Sequence, residues 1–473
     1  MNFKQTLRNF IGVVFSNLST IIAGVVVGFV IPKLMSVHDY GLLKTFTLYV
    51  SYLGLFSFGI IDGIVLEYGG KDFHELDKPL FRSYFKWYLL VNTISAIFIV
   101  LLCLFFFSND HKFIFISIAF NLVAVNISGY FQQISQITQR FKEYSLRKII
   151  QSLLNIFLVL FCIIFYKITN TIDYKLYVSL LVVINFLLSI WYLNTYKELV
   201  FGDSISMKNS KSDIKYLITI GIPLLIANIC SVLIVTLDSQ FVNILFPTRE
   251  YAIYAFAYNL LSLITIATAA ISTILYPILK RTDETSMKSN YGFLISIIVI
   301  LIFATLNLYF PLYIFVKWYL PNYLSSLYIF RIIFPGVVFT TPIVVVMHNY
   351  YKALKDSNSY FKKSLVVILF SVIANIIAYY LFKSTVAISY ASVIVLLIWY
   401  IYVEEKFVKL YDYKRSKNLS YIFLIISSFY ISSHVENIYL GFLIYLFIYI
   451  VITYMYFKEL IQKIYVKFKK GKK

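Results

Sequence analysis

Six ionisable side chains fall inside or at the ends of long apolar stretches, and these are where the sequence has chemistry to offer. Asp62 lies deep in the apolar run 42–66, with Glu67 five residues further on and Lys44 near the opposite end. Asp238 sits in Thr236-Leu237-Asp238-Ser239-Gln240, Arg331 in the run 324–351, and His348 beside Asn349 near the end of that run. A charge at bilayer depth costs about 3 kcal/mol or more unless it is paired or wetted, so such residues point to a water-filled pathway for a charged substrate or a coupling ion. Asp62 has no obvious local partner and is the strongest of the six. Asp238 and Arg331 stand at similar depth and either line a cavity or pair with each other. Glu67 reads as a solvated helix end, about 8 Å along the axis and about 140° around it from Asp62. His348 reads as a hydrogen-bonded interfacial residue, and Lys44 can snorkel outward along its stem.

A second group is polar without charge. Asn17 and Ser19, Asn121 and Asn126, Asn228, Asn259 and Asn375 all fall in apolar runs, and Gln132, Gln133, Gln136 and Gln139 gather near the end of one. Amides can hydrogen-bond sugar hydroxyls or phosphate without burying a charge. The alternative is packing between helices, at about 0.6 kcal/mol per bond in a bilayer. The glutamines cover more than one helix face, which packing against one neighbour does not require. Pro223, Pro277, Pro335 and Pro342 lie within runs and each permits a kink.

The elements that must position these residues are membrane helices. Hydrophobic residues make up 60% of the chain, charged ones 14%, and the mean hydropathy is +0.81; soluble domains carry about 25% charged residues. Spans are expected near 10–34, 42–66, 86–107, 113–138, 149–168, 176–196, 216–246, 251–278, 291–316, 324–351, 364–383, 386–403, 419–434 and 438–457, an all-α polytopic membrane protein of about 14 transmembrane helices. The thirteenth is short and carries Ser427, Ser428, Ser432 and Ser433. Assigning the loops alternately to two sides places 33 of the 42 Lys and Arg on the side holding both termini, which predicts cytoplasmic termini. The net charge of +20 therefore reads as a topology signal rather than a nucleic-acid surface, with the Lys-rich tail from Lys458 lying against anionic lipid. The first run is about 25 residues long and lacks a small-x-small cleavage site, so it is expected to be a retained span.

Several chemistries are excluded or unsupported. Cys103, Cys162 and Cys230 all fall in apolar runs, so neither a disulfide framework nor a thiolate metal site is expected. There is no phosphate-cradling glycine loop with its Lys and no His-Glu-x-x-His motif. Outer loops such as 108–112, 247–250 and 383–385 are too short to fold as a catalytic domain, so the protein is expected to act inside the membrane and not as an enzyme. An internal repeat is also visible: His38-Asp39-Tyr40-Gly41 and Arg249-Glu250-Tyr251-Ala252 each open an even-numbered span, 211 residues apart. Six spans before about residue 200 and six more before about 405 would make a parallel repeat.

The opening pattern resembles the polysaccharide-export (Wzx-like) flippases of the multidrug/oligosaccharidyl-lipid/polysaccharide exporter superfamily. The resemblance is carried by Ile31-Pro32-Lys33-Leu34, Asp39-Tyr40-Gly41, Phe58-Gly59-Ile60-Ile61-Asp62-Gly63, Tyr68-Gly69-Gly70-Lys71 and Leu76-Asp77. It implies two six-helix lobes, 1–200 and 201–405, in a V-shaped arrangement around a cavity, with two further helices in 406–473. It also implies alternating-access movement of an undecaprenyl-pyrophosphate-linked oligosaccharide across a bacterial cytoplasmic membrane, without a cofactor. Lys44 and Arg331 then become candidates for the pyrophosphate, Asp62 and Asp238 for coupling to H+ or Na+, and Glu67, Asn17, Gln132 and Asn259 for the rest of the pathway. A drug/cation antiporter of the same superfamily is the alternative, and a membrane-embedded polymerase or glycosyltransferase a more distant one.

Overall fold

A computed structural model describes the backbone at residues 3–107, 109–280, 282–354 and 356–470, and the side chains of all these except 3–11, 264–271, 273, 274, 276–278, 280, 357 and 463–470. Pro277 and the tail beyond Gln462 thus lie outside the described side chains. The described residues are mostly helical, with a single isolated bridge between Met35 and Ile172 and no sheet among them. The chain divides into two compact units, Met1–Ala255 and Phe256–Lys473.

The first unit contains α1 (Phe3–Leu34), α2 (Val37–Val50), α3 (Ile60–Tyr68), α4 (Lys78–Phe106), α5 (Asn109–Ile137), α6 (Phe141–Thr169), α7 (Tyr174–Thr195), α8 (Lys211–Leu245) and the first two turns of α9 (Thr248–Lys280). Here α1 packs along α6, α5 between α4 and α7, and α3 along α8. The loop after α7 is tied to α4: Lys78 pairs with Glu198 at 2.5 Å, holding that carboxyl below its usual range. Arg82 donates to the Glu198 and Asp203 carbonyls at 2.9 and 2.7 Å. Basic residues that carry the topology signal therefore also fasten a loop.

The second unit holds the rest of α9, then α10 (Glu284–Thr305), α11 (Tyr309–Tyr319), α12 (Ser326–Ile333), α13 (Val337–Pro342), α14 (His348–Ala353), α15 (Ser357–Phe382), α16 (Thr385–Tyr411), α17 (Ser416–Ser433) and α18 (Ile438–Lys470). The predicted span 324–351 is interrupted twice, by a 3-10 turn at Phe334–Gly336 and a π-helical turn at Ile343–Met347, next to Pro335 and Pro342. Pro223 lies inside an unbroken α8.

Helices occupy all fourteen predicted positions. Eleven helical stretches are long and apolar enough to cross a membrane among the described residues, and a bent pair makes twelve. The other two positions are α9, partly outside the described side chains, and α17, with its serines. The bent pair corrects one expectation. The run 42–66 is not one continuous helix but α2 and α3 at 60°, joined through a 3-10 turn at Leu53–Ser57. Phe58 and Gly59 turn into the left-handed region, at φ 47° and 80°, and end the turn. Such a conformation costs a non-glycine residue like Phe58 about 1–2 kcal/mol.

What holds the bent span is a glycine seam. A Cβ on Gly63 would stand 2.2 Å from the Leu217 carbonyl oxygen, and one on Gly221 would stand 2.0 Å from the Gly59 carbonyl oxygen. Gly59-x-x-x-Gly63 thus lets α3 touch α8 backbone to backbone, the way small residues permit close helix contact in membranes. Gly221→Ala and Gly63→Ala should each destabilise the protein by about 1–3 kcal/mol, read as an earlier loss of the monodisperse peak in size exclusion after heating. Gly54→Ala is the control, since nothing lies within 4 Å of that position, and it should melt with the wild type.

Candidate functional site

The break in the second span opens a cavity of about 250 Å³ lined by Ser51, Tyr52, Ser57, Asp62, Tyr88, Asn126, Gln132, Gln133 and Asn228. Asp62 is its sole carboxylate and is 9% exposed. Asn228, on α8, donates to Asp62 Oδ1 at 3.5 Å across the glycine seam. The unwound backbone is satisfied from α5: Asn126 Nδ2 donates to the Leu53 carbonyl at 3.1 Å and to Asn92 Oδ1 at 2.5 Å. Irregular backbone survives at membrane depth only where protein or water takes its hydrogen bonds. One carboxylate ringed by amide and hydroxyl oxygens is a donor set suited to a proton or a small monovalent cation. No cluster of three His, Cys, Asp or Glu that could hold a metal ion occurs among the described residues.

A second cavity, of about 350 Å³, has the opposite character. Lys44 from α2 and Lys148 from α6 line it, together with Thr20, Thr47, Gln151, Ser152 and Asn155, and no carboxylate does. The Lys148 ammonium also donates to Asn17 Oδ1 at 3.2 Å, and the Lys44 ammonium lies 5.2 Å from the centre of the Tyr40 ring. Lys44 is half-buried and turned toward this space. Two ammonium groups among amides and hydroxyls make this a cationic, hydrogen-bonding surface, the chemistry an anion requires.

The remaining predicted residues are distributed elsewhere. Asp238 is 3% exposed and accepts from Tyr254 Oη at 2.7 Å. Glu67 is exposed and accepts from Tyr216 Oη at 3.0 Å, away from the residues lining Asp62's cavity. In the second unit, Arg331 donates to the Ser433 carbonyl at 3.3 Å, at the end of α17, and lies 4.8 Å from the Tyr328 ring. Asn259 is half-buried, with its backbone carbonyl accepting from Ser262. His348 stacks on Tyr360 at 4.6 Å.

Sequence reasoning missed Lys148, Gln151, Ser152 and Asn155, although their spacing of three, four and seven residues is a polar stripe on one helix face. It also missed Glu404, wholly buried, whose Oε1 accepts from Tyr400 at 3.0 Å while Oε2 has no hydrogen-bond partner.

A family model described as "Polysaccharide biosynthesis protein" matches residues 6–283. Among solved structures, the chain is similar to one titled "Lipid II flippase MurJ, inward closed conformation", at 15% identity and a TM-score of 0.65, covering 96% of this chain and 100% of that one. It is also similar to an inward-facing multidrug resistance MATE family transporter of the MOP superfamily, at 12% identity and a TM-score of 0.57, covering 84% and 96% of the two chains. These likenesses show the fold. Comparison with curated proteins gives no match.

The Asp62 cavity should be wet. Gln132→Cys should react with a cationic, water-soluble methanethiosulfonate within minutes, whereas the native cysteines, all buried, should not. Adding Asp62→Asn should slow the reaction several-fold, and an inert Gln132→Cys would mean the space is dry.

Proposed function

Since the chain belongs to the polysaccharide biosynthesis protein family, we propose that it flips an undecaprenyl-pyrophosphate-linked oligosaccharide from the cytoplasmic to the outer leaflet of a bacterial cytoplasmic membrane. The observation that carries this reading is that Lys44 and Lys148 line one cavity that has no carboxylate in its wall. An anionic pyrophosphate must leave water to cross, and two cations with adjacent amides replace part of its hydration while the polyprenyl tail stays in lipid. Neither lysine forms a chemical bond to it, so no cofactor or enzymatic step is required. Arg331 would serve later in the path, with Asn17 and Asn259 as hydrogen-bonding stations.

In this reading Asp62 couples transport to H+ or Na+, with Gln132 among its ligands and Asp238 as a secondary acid. The halves 1–200 and 201–405 are the units of an alternating-access cycle, with residues beyond 406 as an addition. Asp62 on α3 and Asn228 on α8 then belong to different halves and meet at the glycine seam. Neutralising Asp62 with a proton or cation changes what Asn228 binds, and so biases whether that seam stays closed. A ligand moves such an equilibrium only through a difference in affinity between the two states, and a carboxylate at the seam supplies one.

A drug/cation antiporter is the second reading, favoured by the lone carboxylate among amides around Asp62. The two separate by phenotype. In a strain lacking the endogenous exporter, wild-type protein should restore surface polysaccharide; Lys44→Gln with Lys148→Gln should reduce it at least ten-fold, and Asp62→Asn should do the same at unchanged protein level. Drug resistance conferred without any effect on polysaccharide would support the antiporter instead.

A further inference from the structure

In the second unit, a cleft of about 500 Å³ opens where α18 breaks. Phe457 leaves helical geometry, at φ −126° and ψ 25°, and its ring turns inward to meet Tyr421 edge-on at 4.9 Å. Two residues earlier Met455 is 72% exposed, so one side of the cleft is a surface facing the bilayer.

Three ammonium groups line this space: Lys414 from the link before α17, Lys417 from its first turn, and Lys458 just past the break. Glu459 is the one carboxylate among the lining residues, which leaves the wall net cationic. The floor is polar and built. Asn418, 2% exposed, donates to Tyr413 Oη at 2.6 Å and accepts from Ser296 Oγ at 3.3 Å. Gly292 allows the Tyr413 ring to lie in that floor, since a Cβ there would stand 2.9 Å from the ring. Lysines that only snorkel need no polar floor, and a packing contact between helices needs no cleft.

We propose that this cleft binds the phosphodiester headgroup of an anionic membrane lipid of the phosphatidylglycerol type. The lysines pair with the phosphate, and the Tyr413 hydroxyl, held from beneath by Asn418, faces its oxygens. The acyl chains lie along the exposed face of α18 at Met455. The loop between α16 and α17 falls on the side that the charge alternation makes cytoplasmic, where anionic lipid attracts basic residues. The site is independent of the transported molecule, so its failure and that of the flippase reading are separable.

The test uses the full chain purified in neutral detergent, with lipid retention read by native mass spectrometry at a fixed lipid ratio. Wild-type protein should retain phosphatidylglycerol at least ten-fold over phosphatidylcholine. Lys414→Gln, Lys417→Gln and Lys458→Gln combined should abolish that preference, and Lys417→Gln alone should weaken it by about five-fold; this single change at an exposed position serves if the triple variant misfolds. A charge-matched control of Lys208→Gln, Lys211→Gln and Lys215→Gln should stay within two-fold of wild type. Equal loss in the control, or unchanged retention in the triple variant, overturns the site. Displacement of the lipid by an equimolar amount of soluble glycerol phosphate assigns the cleft to a free phosphate and overturns the lipid source.

Discussion

The close approach of α3 to α8 is the constraint on which the first unit depends. With Gly59, Gly63 and Gly221 in the seam, the backbones meet directly, and α3 is placed by main-chain contact rather than by interdigitating side chains. That placement fixes Asp62 opposite Asn228 and leaves α2 free to run at 60° to α3. The break between them exposes carbonyls that a membrane cannot hydrate. Asn126 answers one of them, and Asn92 and Tyr88 hold Asn126 in turn. A polar network buried in lipid is costly when half-satisfied and rigid when complete. Here it supports the 3-10 turn Leu53–Ser57, where the second span departs from α-helical geometry.

The two turns that read as duplicates in the sequence meet in space. Tyr40 and Tyr251 are buried at 1% and 2% exposure, and a Cβ on Gly41 would stand 2.5 Å from the Thr248 carbonyl. Tyr251 Oη donates to the Lys44 carbonyl at 3.3 Å. The acidic residue in each turn has a local cause. Asp39 takes a hydrogen bond from Ser36 Oγ in the first turn of α2, and Glu250 occupies the first turn of α9, where a negative charge complements the helix dipole. Capping chemistry accounts for the acid in this motif, and the tyrosine and small residue serve the packing between α2 and α9.

How far the sequence could be read depended on what hydropathy measures. It located the membrane helices and Asp62, because an acid in an apolar run stands out against its neighbours. It did not foresee the 60° break, since apolar content is the same in a straight helix and a bent one; only Phe58-Gly59 carried a hint. Lys148 and Glu404 were lost for a shared reason. A span drawn from hydropathy stops at the first charges, at 149 and 403, while the helices continue to Phe141 and Tyr411. Charged residues in the end turns of a helix are therefore assigned to loops, as Lys148 and Glu404 were.

The helix α2 reaches both the Asp62 cavity and the Lys44 cavity. Lys44 and Thr47 face the cationic one, while Ser51 and Tyr52, at its end, face Asp62. Seven residues separate Lys44 from Ser51, about 10 Å along a helix axis. As a 14-residue helix between a short link and a 3-10 turn, α2 is one continuous element joining the two cavity walls. Tyr52 Oη lies 2.6 Å from Thr236 Oγ1 on α8, and Thr45 accepts from Asn243 of α8 at 2.6 Å. Those two bonds tie α8 to Thr45 of α2 and to Tyr52, two residues past its end. An ion at Asp62 and an anion at Lys44 would then be felt by one rigid element, which is the simplest physical route by which two oppositely charged ligands come to depend on each other.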